Sequence, residues 1–340
     1  MKTYYVTPLD LNYKDYIKRP AHPKDYTNLI KGDAIVIDSS TNEIVVVYMK
    51  LPEKEIKLLR EVVKRVHYQK TRRTSGLSTD SRIFGYMPRE TIRKDYCSSS
   101  ALVRDQPKYH AIIANFGARL AQYYQQLAPE VYTEHKKIAD EKILPEWRIK
   151  GSPFTSGIIN KNTQLNYHFD TGNFRDVYSN MIAFKNQCEG GYLAFPMYDM
   201  ALEIGDGTIA FFNGQKHLHG VTPFTKGVGG YRFTLVYYTL QQMWKCDPVD
   251  EEVARIRDRK TNREKNRVKY LKGELNFCQK CMTWTEPSGD MCTKCNLKYR
   301  KKKSFNEDIF TELGIDHKYI GVPFTSLPLD IQKKLNNYKR

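Results

Sequence analysis

The stretch NYHFDTGNF, residues 166–174, reads as the end of a β-strand in which a histidine and a carboxylate stand two positions apart. Side chains alternate across a strand, so Asn166, His168 and Asp170 share one face while Tyr167 and Phe169 share the other. An imidazole and a carboxylate that converge in this way suit a metal ion, and two ligands call for a third from elsewhere. NGQKHLHGVTPF, residues 213–224, offers one. His217 and His219 are again two apart, and His219 runs into Gly220, where a missing side chain lets the backbone pass close to a metal. His219 is the expected third ligand and His217 the alternative.

Around these segments the chain has the texture of a sheet. From Phe154 to Thr239 it breaks into FTSGIIN, VYSNMIAF, GYLAFP, ALEI, TIAFFN and RFTLVYYT. Gly190-Gly191 and Asp206-Gly207 mark turns between them, the second expected to close a tight hairpin. Short strands at this spacing predict a sandwich or barrel, the jelly roll being one form. Upstream, residues 32–49 read as a β-hairpin and residues 52–70 as a helix with Ile56, Leu59, Val62, Val63 and Val66 at helical spacing. His67 lies beside that stripe and is read as a packing or surface residue. A second helix is predicted over residues 109–130 and a short one over 130–143, which makes the class α+β. The segment TRRTSGLSTDSRIFGYMPRE, residues 71–90, has no period and is expected to be a long loop.

Two histidines and one carboxylate with open positions are the ligand set of non-haem Fe(II) oxygenases, although the same set also binds zinc for hydrolysis. A docking group for an organic diacid separates the two readings. In GYRFTLVYY, Arg232 and Thr234 fall on one strand face. A guanidinium takes a carboxylate bidentately and the hydroxyl adds a further bond, which fits the distal carboxylate of 2-oxoglutarate.

With His168, Asp170, His219, Arg232 and the Gly-Gly-x-Leu-x-Phe-Pro turn at 190–196 in hand, the chain resembles the 2-oxoglutarate and Fe(II)-dependent dioxygenases. FGYMPRE, FTSGIINKNTQLNYHFDTGNF, SNMIAF and NGQKHLHGVTPF resemble the TET/JBP group, over roughly residues 80–240. No large cysteine-rich insertion and no separate J-base-binding segment is visible, so the resemblance is to compact members such as those of viruses and phages. The resemblance implies a double-stranded β-helix core, jelly-roll or cupin-like, flanked by N-terminal helices. It implies iron on His168, Asp170 and His219, 2-oxoglutarate on Arg232, and oxidation of the 5-methyl group of 5-methylcytosine or thymine in DNA. Asn173, three residues beyond the ligand aspartate, would then contact the base, against ordinary turn chemistry beside Gly172. Arg82 and Arg89 are candidates to meet phosphate or a carboxylate, or else lie on the surface. A base in a duplex must be flipped out or presented single-stranded to reach such a site. The rival readings are a hydroxylase of protein side chains or RNA, and a nucleic-acid-binding protein with a degenerate oxygenase core.

CQKCMTWTEPSGDMCTKC places Cys278, Cys281, Cys292 and Cys295 as two C-x-x-C pairs. That spacing predicts a structural zinc in a ribbon-like module. Cys97, Cys188 and Cys246 have no partner in view. The chain carries 55 Lys and Arg against 38 Asp and Glu, a formal charge of +17. Residues 251–303 hold 16 of the bases and 7 of the acids, so the excess is concentrated, and a DNA partner for this region is expected. The expected division is residues 1–79 as a hairpin and helix region, 80–245 as the dioxygenase domain, 249–303 as the basic helix and zinc module, and 304–340 as a tail. With no apolar run of membrane-spanning length, an intracellular, soluble monomer is expected.

Overall fold

The computed structural model describes residues 1–72, 78–89, 96–278, 283–286, 292, 310–319, 322 and 326–337. The chain divides into two units, Met1–Arg89 with Tyr96–Glu252, and Glu90–Asp95 with Val253–Arg340.

In the first unit, strands β1 (Lys2–Val6), β2 (Asn28–Ile30), β3 (Ala34–Asp38) and β4 (Ile44–Lys50) precede helix α1 (Glu53–Arg65). Strands β5 (Gln69–Arg72), β6 (Ser78–Met87) and β7 (Ser98–Ser99) lead to helices α2 (Ala101–Asp105), α3 (Pro107–Leu127) and α4 (Pro129–Lys142). Pro129 ends α3 and, at the first position of α4, where its missing N–H costs nothing, starts the next helix. Then come β8 (Ser156–Lys161), β9 (Ser179–Gly190), β10 (Leu193–Phe195), β11 (Met200–Leu202), β12 (Thr208–Phe212), β13 (Gly220–Val221) and β14 (Phe224–Tyr238).

The strands form two sheets. The larger runs β1-β3-β4-β12-β9-β14-β8-β6-β5 with β7 on β6, and the smaller runs β13-β10-β11-β2. Alternation along the central strands decides the layers. Ile182, Phe184, Phe211 and Leu235 pack against Ile56, Leu59 and Val63 of α1 and Ile113, Leu120 and Tyr124 of α3. Their neighbours Met181, Ala183, Ala210 and Phe212 face Leu193, Phe195, Met200 and Leu202 of the small sheet. The result is helices on a sheet on a sheet, an α+β architecture.

Four expectations need correction. Within the stretch 71–90, expected to be a loop, residues 78–87 form a strand, since β6 pairs with β8 from Asp80 opposite Lys161 to Gly85 opposite Ser156, while residues 73–77 and 90 lie outside the described residues. The buried positions of β6 include Thr79, Ser81 and Arg82, so no apolar period marks it as a strand. Asp206-Gly207 does not close a hairpin, because β11 and β12 belong to different sheets and the turn carries the chain between layers. Residues 1–79 are not a region apart, since β1, β3 and β4 extend the same sheet as the later strands. Cys97 and Cys246 are partners, joined in a disulfide with Cα atoms 5.7 Å apart, amid Trp147, Phe174, Val177 and Met243. A separation of 149 residues hides that pairing from the sequence.

In the second unit, the helix α5 (Val249–Leu271), which begins at the end of the first, is exposed on almost every face. A short hairpin pairs β15 (Asn276–Cys278) with β16 (Thr283–Thr285), and Trp284 lies 4.8 Å from Phe277 between ring centroids. Phe310, Ile315, Leu327 and Ile331 form a small cluster around the helix Leu329–Asn336. Among the described residues no helix is long and apolar enough to cross a membrane.

The large sheet is tightly packed at Gly157 on β8, where a Cβ would lie 2.0 Å from Phe84 Cζ of β6 and 2.2 Å from the Val236 carbonyl oxygen of β14. Gly157→Ala is expected to cost about 2 kcal/mol or more through forced displacement of Phe84 or β14. A urea titration checks this as a lower midpoint at unchanged slope.

Candidate metal and co-substrate site

His168 and His219 face each other across a reciprocal antiparallel bridge, with His168 N–H donating to the His219 carbonyl at 2.9 Å and His219 N–H returning the bond at 3.2 Å. Directly opposed residues of this kind project side chains to the same face, and the two ring centroids are 4.4 Å apart. Asp170 joins them from two residues along, its N–H donating to the Gly214 carbonyl at 2.9 Å. His168 Nε2 is 3.6 Å from Asp170 Oδ1. One ligand atom from each of His168, Asp170 and His219 lies within 4.8 Å of the others. Gly214 is required here, because a Cβ would sit 2.3 Å from Asp170 Oδ2.

Backbone carbonyls select the liganding nitrogens. His168 Nδ1 lies 2.8 Å from the Asn166 oxygen and His219 Nδ1 lies 2.9 Å from the His217 oxygen. A carbonyl only accepts, so each Nδ1 carries the proton and each Nε2 presents its lone pair. Burial, reinforced by the neighbouring His168, lowers the pKa of His219 to about 4, which keeps the imidazole neutral at physiological pH. Two neutral imidazoles and a carboxylate on one side of a point fit a divalent ion held by three protein ligands, the other positions left for co-substrate. His217 is outside this set. It is buried, with Nδ1 3.3 Å from the Tyr198 hydroxyl, and its contribution to the site is its carbonyl.

Arg232 is 2% exposed on β14. Its two terminal nitrogens donate to the carbonyls of Thr163 and Gly191 at 3.3 and 3.2 Å, and its Nε has no partner. Burial pulls its pKa down to about 10, with Cys188 opposing, so it remains charged at neutral pH while held by neutral groups. Gly191, at φ +69°, makes room for it, since a Cβ there would fall 2.8 Å from Nε. Thr234, one turn of the pleat along, accepts from Asn160 Nδ2 at 3.2 Å, which leaves its own hydroxyl proton to donate. A buried, underpartnered guanidinium on the same strand face as a hydroxyl donor is chemically suited to a carboxylate.

The remaining candidates have other partners. Asn173 is 7% exposed, its Nδ2 donating to Ser179 Oγ at 2.9 Å and its carbonyl accepting from Gln215. Arg82 is not on the surface. It is buried in an ion pair with Asp105. Arg89 bonds Asp247 at 2.5 Å and the buried Glu252 at 2.6 Å, which also accepts from the Cys97 N–H at 2.9 Å. Both arginines are committed to carboxylates of this chain. Cys278 and Cys292 are buried, while Cys281 and Cys295 lie outside the described residues. Gly214, Asn160 and the carbonyls of Asn166 and His217 were not anticipated. Only Gly214, in an Asn-Gly pair before the histidines, left a trace in the sequence, as a turn signal.

Residues 87–241 match the family model Tet_JBP, described as the oxygenase domain of the 2OGFeDO superfamily. The bifunctional helicase and thymine dioxygenase JBP2 of Trypanosoma brucei brucei (strain 927/4 GUTat10.1) is 28% identical over 113 residues, 33% of this chain. The match spans only 10% of that relative's length. A solved structure of NgTET1 in complex with 5mC DNA superposes with a TM-score of 0.50 over 68% of this chain and 90% of that one. At 15% identity this likeness shows a shared fold. The matched segment, residues 87–241, is thus an oxygenase domain of the 2OGFeDO superfamily, of the TET/JBP type.

Proposed function

We propose that this chain oxidises the 5-methyl group of a pyrimidine base in DNA, with Fe(II) on His168, Asp170 and His219 and 2-oxoglutarate anchored by Arg232 and Thr234. The observation that carries the reading is the conjunction of a three-ligand metal cluster with a buried, carboxylate-free Arg232 in a segment matched to the TET/JBP oxygenases. The two facing sheets read as a double-stranded β-helix. The named relatives support the substrate class, one being a thymine dioxygenase and the other bound to 5mC DNA. Both bases offer the same group, a methyl carbon at C5.

When bound, Fe(II) with 2-oxoglutarate and dioxygen supplies the oxidising power that breaks a methyl C–H bond. The protein orients. Arg232 Nε and the Thr234 hydroxyl hold the far carboxylate of the diacid, and the carbonyls behind His168 and His219 fix which nitrogens face the metal. No general base is needed, because the transfer is of hydrogen from carbon. Mass spectrometry of nucleosides, from 5-methylcytosine-containing and thymine-only duplexes incubated with Fe(II) and 2-oxoglutarate, tests the assignment. An oxidised 5-methylpyrimidine is expected from one or both, whereas turnover of 2-oxoglutarate with a peptide or RNA instead would defeat it. His168→Ala is expected to abolish the product. Arg232→Met is expected to raise the KM for 2-oxoglutarate at least about 30-fold, the consequence of removing one partner of a buried charge pair.

The basic excess points to the same partner. From Val253 to Leu271, α5 carries eight Lys and Arg against two acids on an exposed helix. A helix this polar on all sides has no face to bury and suits a phosphate backbone. Cys278, Cys281, Cys292 and Cys295 are assigned a structural zinc, a reading supported by the burial of Cys278 and Cys292 and by the β15–β16 hairpin that ends in Cys278. Replacing Lys260, Arg263 and Lys265 together by Ala is expected to lower the slope of log Kd against log salt for duplex DNA by about 2 to 3, at any sequence. Fluorescence anisotropy across a salt series measures it.

A further inference from the structure

The segment that bears His168 and Asp170 is not a strand of either sheet, its one bridge being His168 to His219, but it is bonded along two edges. Its residues alternate in where their backbone groups point. Those of His168 go to His219, while those of Tyr167 go the other way, to a segment near the start of the chain. Lys18 N–H donates to the Tyr167 carbonyl at 2.8 Å and Tyr167 N–H donates to the Arg19 carbonyl at 2.9 Å. Asn166 Nδ2 adds a bond to the Lys18 carbonyl at 2.6 Å. Lys18 makes this pairing at φ 68°, a left-handed conformation that a lysine adopts only when its surroundings hold it there.

The segment is itself braced. Asp25, its side chain 6% exposed, accepts from Arg19 at 2.9 Å, from the His22 N–H at 2.8 Å and from the Tyr167 hydroxyl at 3.2 Å. The Arg19 guanidinium also lies 4.5 Å from the Tyr16 ring centroid and 5.7 Å from that of Tyr167. Tyr167 is fully buried, and its ring lies so close to Gly220 that a Cβ there would be 2.8 Å from Cδ1. One side chain therefore touches the neighbour of His219, while its own backbone carries His168.

We infer that residues 12–26 are a working part of the metal site, with Arg19 and Asp25 as positioning residues that act through Tyr167 on His168 and His219. This rests on the reading of those histidines as Fe(II) ligands. The segment lies outside residues 87–241, which the oxygenase model covers. It fixes the outer edge of the segment that bears His168 and Asp170, whose inner edge is bonded to His219. Without the brace the His168 segment keeps its bonds to His219, Gly214 and Val221 on one edge and loses those on the other.

The test is Fe(II) affinity, measured by anaerobic calorimetry at saturating 2-oxoglutarate, together with the unfolding temperature of the metal-free protein. Asp25→Asn keeps the shape and removes the charge that holds Arg19. It is expected to weaken Fe(II) about tenfold, the effect of losing a group that orients a ligand, while the unfolding temperature stays near that of the wild type. Tyr167→Phe, which removes only the hydroxyl, is expected to weaken it about threefold and serves if the first variant does not fold. A purely structural brace would lower the unfolding temperature and leave the affinity of the folded protein unchanged. Variants that bind Fe(II) within twofold of the wild type overturn the inference alone. A wild-type protein that binds none overturns the assignment of the ligands with it.

Discussion

The reciprocal backbone bonds between His168 and His219 are the constraint on which the site depends. They put two imidazoles on one face, and the carbonyls of Asn166 and His217 then turn both rings to the same tautomer. Asp170 enters only because the opposing chain leaves the ladder after His219 and returns at Gly214. The detour is built on Asn213, whose Oδ1 accepts from the backbone of Gln215 and Lys216 in an Asx turn. It carries His217 and Leu218 into the interior. A ligand set that looks like three side chains is thus a property of two backbone segments and one turn.

Charge separates the arginines that are paired with carboxylates of the chain from the one that is not. Arg82, Arg89 and Arg232 are all wholly or largely withdrawn from water, and a buried cation is costly unless paired. The first two have carboxylates from Asp105, Asp247 and Glu252, and although Arg82 Nε is also without a partner, the charge of each is met by a carboxylate of the chain. Arg232 has two carbonyls and a bare Nε. Leaving a guanidinium in that state is unfavourable for folding alone, and an incoming carboxylate reverses the deficit. The same reasoning explains why the pairs at Arg82 and Arg89 could not be told from ligand sites in the sequence, since their partners are 23 or more residues away.

What was legible had a short period. His168 with Asp170 and Arg232 with Thr234 are pairs two apart, and extended backbone converts that spacing directly into a shared face. The hairpin at 34–50, α1, α3 and the strands from 156 to 238 follow from apolar periodicity in the same way. What was illegible is buried without being apolar, or paired across a long separation. β6 is the first case, with Thr79, Ser81 and Arg82 in place of a hydrophobic face. The Cys97–Cys246 disulfide and the Lys18–Tyr167 pairing are the second. Asn173 is a third kind, a polar residue whose bond to Ser179 the sequence did not indicate.

The folded unit is larger than the segment whose sequence resembles the oxygenases. Residues 87–241 contain β9, β12 and β14, but β12 is flanked on its other side by β4, and β11 is flanked by β2. The space between the sheets is filled in part by Ile30, Ala34, Val36, Val46 and Tyr48. Were those strands absent, β12 and β11 would present open edges, and Ala210 and Phe212 would lose the neighbours that exclude water. Phe212 stands edge-on to His219 at 4.9 Å, so that face of the imidazole is packed by a residue whose strand pairs with β4. The neutral state of His219 depends on burial, and the burial depends on strands that precede the matched segment. The liganding chemistry is therefore encoded by one part of the chain and its dielectric by another.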